Sequence, residues 1–178
     1  GGRGGAGGPG GIPQLGFAGG RPGVLRLFNE ALGSQVAWTL PLALVGSLAA
    51  LAMAGFRGSK KLSALIIYGG WFASGASIFS ITKGIVHPYY MANIGPPIAA
   101  LTGIGLTALL LLARRWKVGA VMLAVATATT AFAQWTMLGR ASFDGWRSWL
   151  RPLVVALLAL ATAMGVGAVM TRRRALTL

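Results

Sequence analysis

The chain has no cysteine, and among its 178 residues it has only two carboxylates, Glu30 and Asp144. Disulfides, thiolate metal sites and cysteine nucleophiles are thereby excluded. A single histidine, His87, with no carboxylate near it in sequence, cannot assemble a metal site of the usual kind. Charge of either sign is scarce: charged residues make up 10% of the chain, against roughly a quarter in soluble domains. No GxSxG nucleophile elbow occurs. The glycines of the N-terminal tract lack the strand-to-helix GxGxxG context of a dinucleotide site.

What is present is apolar. Hydrophobic residues make up 55% of the chain. They gather into five stretches free of Lys, Arg, Asp and Glu, at about 36–56, 62–81, 91–113, 118–138 and 152–171. Each has about 20 residues, enough for a helix to cross a core of about 30 Å. These stretches predict an all-α fold, a polytopic transmembrane helical bundle of about five spans. Glycines recur within them, among them Gly69, Gly70, Gly75, Gly103, Gly105, Gly165 and Gly167. Small residues let helices approach closely in lipid. Pro41 and the Pro96-Pro97 pair are expected to shape the first turns of their helices.

The ends of the chain read differently. Residues 1–23 are about half glycine, and such a tract buries too little apolar surface to offset its ordering entropy. A flexible extramembrane loop is expected there. Residues 24–35 open with VLRLFNEAL and suit a short interfacial helix. Residues 172–178 form a basic tail. The chain begins at Gly1 inside the glycine tract, with no secretory signal in view. The expectation is a piece of a longer polytopic protein.

The net charge of +14 invites a nucleic-acid reading, and the placement of the cations rejects it. Arg57, Lys60 and Lys61, then Arg114, Arg115 and Lys117, then Arg172, Arg173 and Arg174 stand in tight groups at the ends of apolar runs. Topology determinants are placed in this way, and no basic face remains to track a phosphate backbone. By the positive-inside rule these groups face the cytoplasm of a bacterial plasma membrane, and the N-terminal loop and the Lys83–Tyr90 segment lie outside. Trp135, Trp146 and Trp149 near the outer loop, and Trp116 at the inner face, fit an aromatic belt.

One polar cluster interrupts the apolar pattern. Lys83 offers an ammonium, His87 a titratable imidazole, and Tyr89 and Tyr90 hydroxyls on aromatic bodies, with Pro88 stiffening the turn. Such groups at a membrane boundary suit a lipid-borne phosphate and a sugar or prenyl chain. They also suit a plain belt of interfacial anchors. Gln35 and Trp38 open the first span on the same side and are candidates for a polar lip over that site. Glu30 and Asp144 are candidate bases, although a solvated loop position is the commoner role for such residues. Asp144 lies between Arg140 and Arg147, so an ion pair accounts for it.

The run Phe79-Ser80, then Gly84-Ile85-Val86-His87-Pro88-Tyr89-Tyr90, then Pro96-Pro97-Ile98-Ala99-Ala100-Leu101 resembles a segment of bacterial family 39 glycosyltransferases. These belong to the GT-C superfamily and are relatives of protein O-mannosyltransferases and of the lipid A aminoarabinose transferase. Leu25-Arg26-Leu27-Phe28-Asn29 and Gly33-Ser34-Gln35-Val36-Ala37-Trp38-Thr39-Leu40-Pro41 resemble the same proteins. The likeness covers about residues 1–113 by motif and the rest by helix count. It implies a membrane glycosyltransferase that moves a mannose-like sugar or aminosugar from a polyprenyl-phosphate donor to an acceptor at the outer face. It implies a catalytic acid in the N-terminal half of such a protein, and Lys83, His87, Tyr89 and Tyr90 as this part's share of the donor site. No cofactor is evident, and the sequence alone leaves a divalent metal open. The partners expected are the lipid donor, membrane lipids and the missing N-terminal half, with no nucleic acid. A transporter module and a non-catalytic scaffold are the rival readings. The absence of ionisable groups within the spans weighs against transport.

Overall fold

A computed structural model describes residues 21–30, 32–54, 60–83, 86–140 and 144–175. The glycine tract up to residue 20 and the last three residues of the basic tail lie outside this set. The described residues form helices and turns, with no strand. In chain order the helices are α1 (Gly33–Val36), α2 (Leu40–Ala54), α3 (Lys60–Ile81), α4 (Gly95–Arg115), α5 (Lys117–Leu138) and α6 (Arg147–Ala175). Two 3₁₀ turns, Arg26–Phe28 and Pro88–Asn93, accompany them.

Three of these helices, α3, α4 and α5, are long and apolar enough to cross a membrane, and α2 is a shorter apolar helix. A lipid core offers backbone groups no hydrogen-bond partner, so an apolar run closes its own bonds as a helix. Local sequence sets the ends. Pro96 and Pro97 occupy the first turn of α4, where a missing N–H costs nothing because those donors lack intrahelical partners anyway. Pro41 sits likewise in the first turn of α2. Trp116 adopts an extended conformation between Arg115 and Lys117, so α4 reverses into α5 across one residue.

The core lies between α2 and α4, with α5 against both. It is built from small side chains: Ala43, Ala49 and Ala50 of α2, Ala108 of α4 and Ala126 of α5 stand beside Ile98, Leu101, Leu109 and Leu123. At the crossing, Gly46 meets Gly105. A Cβ on Gly105 would lie 2.7 Å from the Gly46 Cα and 2.9 Å from its carbonyl carbon. The two backbones touch because neither residue has a side chain. Without a hydrophobic drive between helices in lipid, such contact is a main source of association. α3 stands at the margin, and Leu65 is its buried residue.

The bundle has two unlike ends. One carries Lys60 and Lys61 at the start of α3 and Arg114, Arg115 and Lys117 at the α4–α5 turn. The other carries the starts of α2 and α4, the ends of α3 and α5, and both 3₁₀ turns. At this second end α2 begins at Leu40 rather than at Val36, where the sequence placed the first span. The turn Arg26–Phe28 instead packs against α3, and α1 packs against the turn Pro88–Asn93. Leu27, Leu32 and Val36 join Val86, Met91 and Ile94 in the same core as the long helices.

Candidate functional site at the aromatic end

Irregular backbone at the end of a membrane bundle needs partners for its polar groups, and two arginines supply them. Arg26 is buried, 3% exposed. Its guanidinium donates to the carbonyl oxygens of Phe79 at 2.9 Å and Thr82 at 2.7 Å, at the C-terminal end of α3. Helix ends of this kind present orphan carbonyls and partial negative charge. Arg140, just past α5, donates to the carbonyls of Asn29 at 2.8 Å and Phe28 at 2.6 Å. The amide of Gly23 donates to Ser80 O at 2.9 Å. Residues 23–29 thereby tie the end of α3 to the end of α5.

The next turn is fixed by side chains. The Leu32 amide donates to Asn29 Oδ1 at 2.8 Å, which starts α1. The Trp38 indole N–H donates to Ser34 O at 2.7 Å, and Gln134 Nε2 of α5 donates to Trp38 O at 2.7 Å. The hydroxyls of Thr39 and Thr102 lie 3.0 Å apart and join the start of α2 to α4. Gln35 is left on the exposed side of α1.

The 3₁₀ turn Pro88–Asn93 packs against α1. Side chains three apart eclipse in such a turn. Met91 and Ile94 therefore form one face and are buried at 1% and 0% exposure. Ile94 sits on Gly75 of α3, whose missing Cβ makes the space. Asn93 Oδ1 accepts from the Trp71 indole N–H at 3.1 Å, a second tie to α3. Tyr89 and Tyr90 fall on the opposite faces and stay exposed, at 65% and 42%.

His87, Tyr89 and Tyr90 come together as a ring cluster. His87 stacks on Tyr89 with centroids 5.1 Å apart and planes 13° from parallel. It meets Tyr90 edge-on at 5.6 Å, and the two tyrosines meet edge-on at 4.6 Å. A hydrogen bond to the Tyr90 side chain holds the exposed Tyr89 phenol above its ordinary pKa, with slight desolvation by its neighbours and the charge of the neighbouring phenol acting in the same direction. Lys83 is exposed one residue beyond Thr82, whose carbonyl Arg26 holds. Gly84 and Ile85, between Lys83 and Val86, lie outside the described residues.

Of the residues singled out in the sequence, the structure gathers His87, Tyr89 and Tyr90 and places the helix of Gln35 beside them. Trp38 is not brought into the ring cluster; its indole N–H is bonded to Ser34 O. Asp144 pairs with Arg147 at 3.2 Å on the surface. Among the described residues no group of three His, Cys, Asp or Glu side chains stands ready for a metal. Arg26 and Arg140 carry no site role in the sequence reading, yet Arg26 holds the end of α3 and Arg140 holds the carbonyls of Phe28 and Asn29. Their signal was an arginine next to apolar residues in a chain nearly devoid of carboxylates. Backbone carbonyls at helix ends were the acceptors left for it.

Two curated proteins of Bacillus subtilis (strain 168) resemble this chain. "Putative mannosyltransferase YycA" is 41% identical over 93 residues, covering 50% of this chain and 13% of that protein. "Putative mannosyltransferase YkcB" is 39% identical over 123 residues, covering 65% of this chain and 17% of that protein. The chain therefore spans less than a fifth of the length of these relatives. No family model matches the chain, and no solved structure matches it significantly.

Proposed function

We propose that this chain is the membrane part of a glycosyltransferase, in which the aromatic end receives the head of a polyprenyl-phosphate sugar donor. The observation that carries the reading is the His87–Tyr89–Tyr90 cluster. Its two tyrosines are exposed and His87 is half-buried, while the same turn is anchored by buried Met91 and Ile94. The names of the two partial relatives support the reaction class. In this reading Lys83 and the tyrosine hydroxyls meet the donor phosphate, where charge develops on the leaving group. The faces of His87 and Tyr89 meet the sugar or the first prenyl units. Gln35 reaches sugar hydroxyls from α1, and Trp38 supports that helix through its bond to Ser34 O. The catalytic carboxylate comes from the part of such a protein that this chain does not span. The membrane is the bacterial plasma membrane and the aromatic end faces outward, as the cation groups at the other end imply.

Sugar transfer by the full-length protein in membranes tests this, with radiolabelled polyprenyl-phosphate mannose as donor. His87→Ala and Tyr90→Phe should each lower transfer about tenfold, the value of one lost hydrogen bond or ring contact near 1.4 kcal/mol. Transfer untouched by both substitutions would remove the site from this end. No transfer from any polyprenyl-phosphate sugar would remove the function.

A further inference from the structure

At the opposite end of the bundle, α2, α3 and α4 do not close on one another. They leave a cavity of about 490 Å³, within the range of about 300–1,000 Å³ typical of ligand pockets. Its walls are apolar: Ala50 and Met53 from α2, Leu65 from α3, Ile104, Ala108 and Leu111 from α4. Thr107, also on the wall, donates its hydroxyl to Gly103 O at 2.9 Å within its own helix. Lys60 and Lys61 line the same cavity at the first turn of α3, and both are exposed.

Among the described residues no carboxylate stands at this end. The two carboxylates, Glu30 and Asp144, both belong to the aromatic end, and Asp144 is paired with Arg147 there. Two lysines also oppose the positive pole of the α3 dipole. An anion at the mouth would answer both. The groove below it runs along α4 from Gly103 to Leu111, eight residues or roughly 12 Å of helix. That depth is close to one leaflet, half of a core of about 30 Å.

We propose that this groove is a binding site for one anionic phospholipid, with its phosphate between Lys60 and Lys61 and an acyl chain along Gly103, Thr107 and Leu111. The site lies at the other end of the bundle from the ring cluster and holds whether or not sugar is transferred. Lysine heads on long stems at the interface take lipid phosphates in this geometry. Gly103 gives the groove its depth: a Cβ there meets nothing within 4 Å, so a larger side chain fills the groove without disturbing the helices.

The test is native mass spectrometry of the full-length protein in detergent, titrated with phosphatidylglycerol and with phosphatidylcholine of identical chains. A saturable phosphatidylglycerol adduct is expected, at least tenfold tighter than phosphatidylcholine. Each lysine contributes about fivefold near a lipid surface, so the pair Lys60→Gln and Lys61→Gln should weaken phosphatidylglycerol by about 25-fold and leave phosphatidylcholine unchanged. Gly103→Leu should weaken both lipids, with helix content by circular dichroism unchanged. Equal affinity for the two headgroups overturns the proposal. So does phosphatidylglycerol binding that survives Gly103→Leu, which reports surface charge without a groove. Displacement by glycerol phosphate at matched concentration also overturns it, in favour of a soluble anion, and so does the absence of any phosphatidylglycerol adduct.

Discussion

Gly46→Ala sets two opposing effects against each other, and the structure decides the sign. In an ordinary helix alanine is better than glycine by about 1 kcal/mol. Here the new methyl enters the crossing of α2 and α4. It would lie 2.6 Å from the Gly105 carbonyl carbon and 3.0 Å from its oxygen, with the Gly105 Cα closer still. Carbon atoms in contact sit at about 3.5–4.0 Å, so the two backbones must part by about 1 Å. No rotamer relieves the clash, because every atom in it is backbone on one side. A gap of about 1 Å forfeits up to half of each dispersion contact, and the neighbouring Ala43, Ala49 and Ala50 are too short to follow. Overpacking of this kind costs about 1–3 kcal/mol, and the upper part of that range applies. The net expectation is a loss of about 2 kcal/mol after the propensity gain. Gly103→Ala, two residues away on α4 and open on all sides, should be neutral or stabilising by up to about 1 kcal/mol. Reversible unfolding in mixed micelles, titrated with dodecyl sulfate and followed by circular dichroism, measures both. A Gly46→Ala protein as stable as the wild type would refute the backbone contact. So would equal effects at the two glycines.

Three further outcomes follow from the aromatic end. Arg26→Met leaves the Phe79 and Thr82 carbonyls without their guanidinium donor, and should cost about 2 kcal/mol in the same unfolding assay. Amide exchange at Thr82 and Lys83 should quicken with it, and Arg26→Lys should recover only part of the loss. Tyr89 has a raised folded pKa, so its stabilising hydrogen bond is fully present below about pH 10 and is lost as pH rises through the folded value. Tyr90→Phe should move the alkaline absorbance transition of Tyr89 down, read as the difference from Tyr89→Phe, and an unmoved transition contradicts the hydrogen bond. Asp144→Asn should change stability by less than about 1 kcal/mol, because both partners are largely exposed and solvent screens the pair.

The helical membrane bundle was legible because the signal is long. Runs of about 20 uncharged residues can be satisfied in lipid by few structures, and α3, α4 and α5 follow such runs. The break at Pro96-Pro97 was legible for the same reason, since proline in a first turn carries a local rule. The short elements were harder. Residues 24–35 read as an interfacial helix leading into a span at about residue 36, and the structure shows a 3₁₀ turn, a one-turn helix and a late start of α2 at Leu40. What folds that segment is not its own periodicity. Arg26 reaches α3 across more than fifty residues, and Arg140 and Gln134 reach back from α5 across roughly a hundred. The ring cluster was visible as adjacent letters, His87 to Tyr90. Which of its rings would face outward depended on Ile94 finding Gly75 of α3 and on the turn packing against α1, tertiary contacts that the local pattern does not carry. The groove beside Lys60 and Lys61 had no sequence signal, because it is a space between three helices rather than a property of any one.

The central claim is that the sugar donor is held at the aromatic end. The most direct measurement is photocrosslinking of the full-length protein in membranes, with a polyprenyl-phosphate mannose bearing a photoreactive group beside its phosphate, followed by mapping of the labelled peptides. The account predicts label on the Lys83–Tyr90 segment and on the peptide carrying Gln35, displaced by unlabelled donor and reduced by Tyr90→Phe. Label confined to the Lys60–Lys61 end, or label that unlabelled donor does not displace, would contradict it.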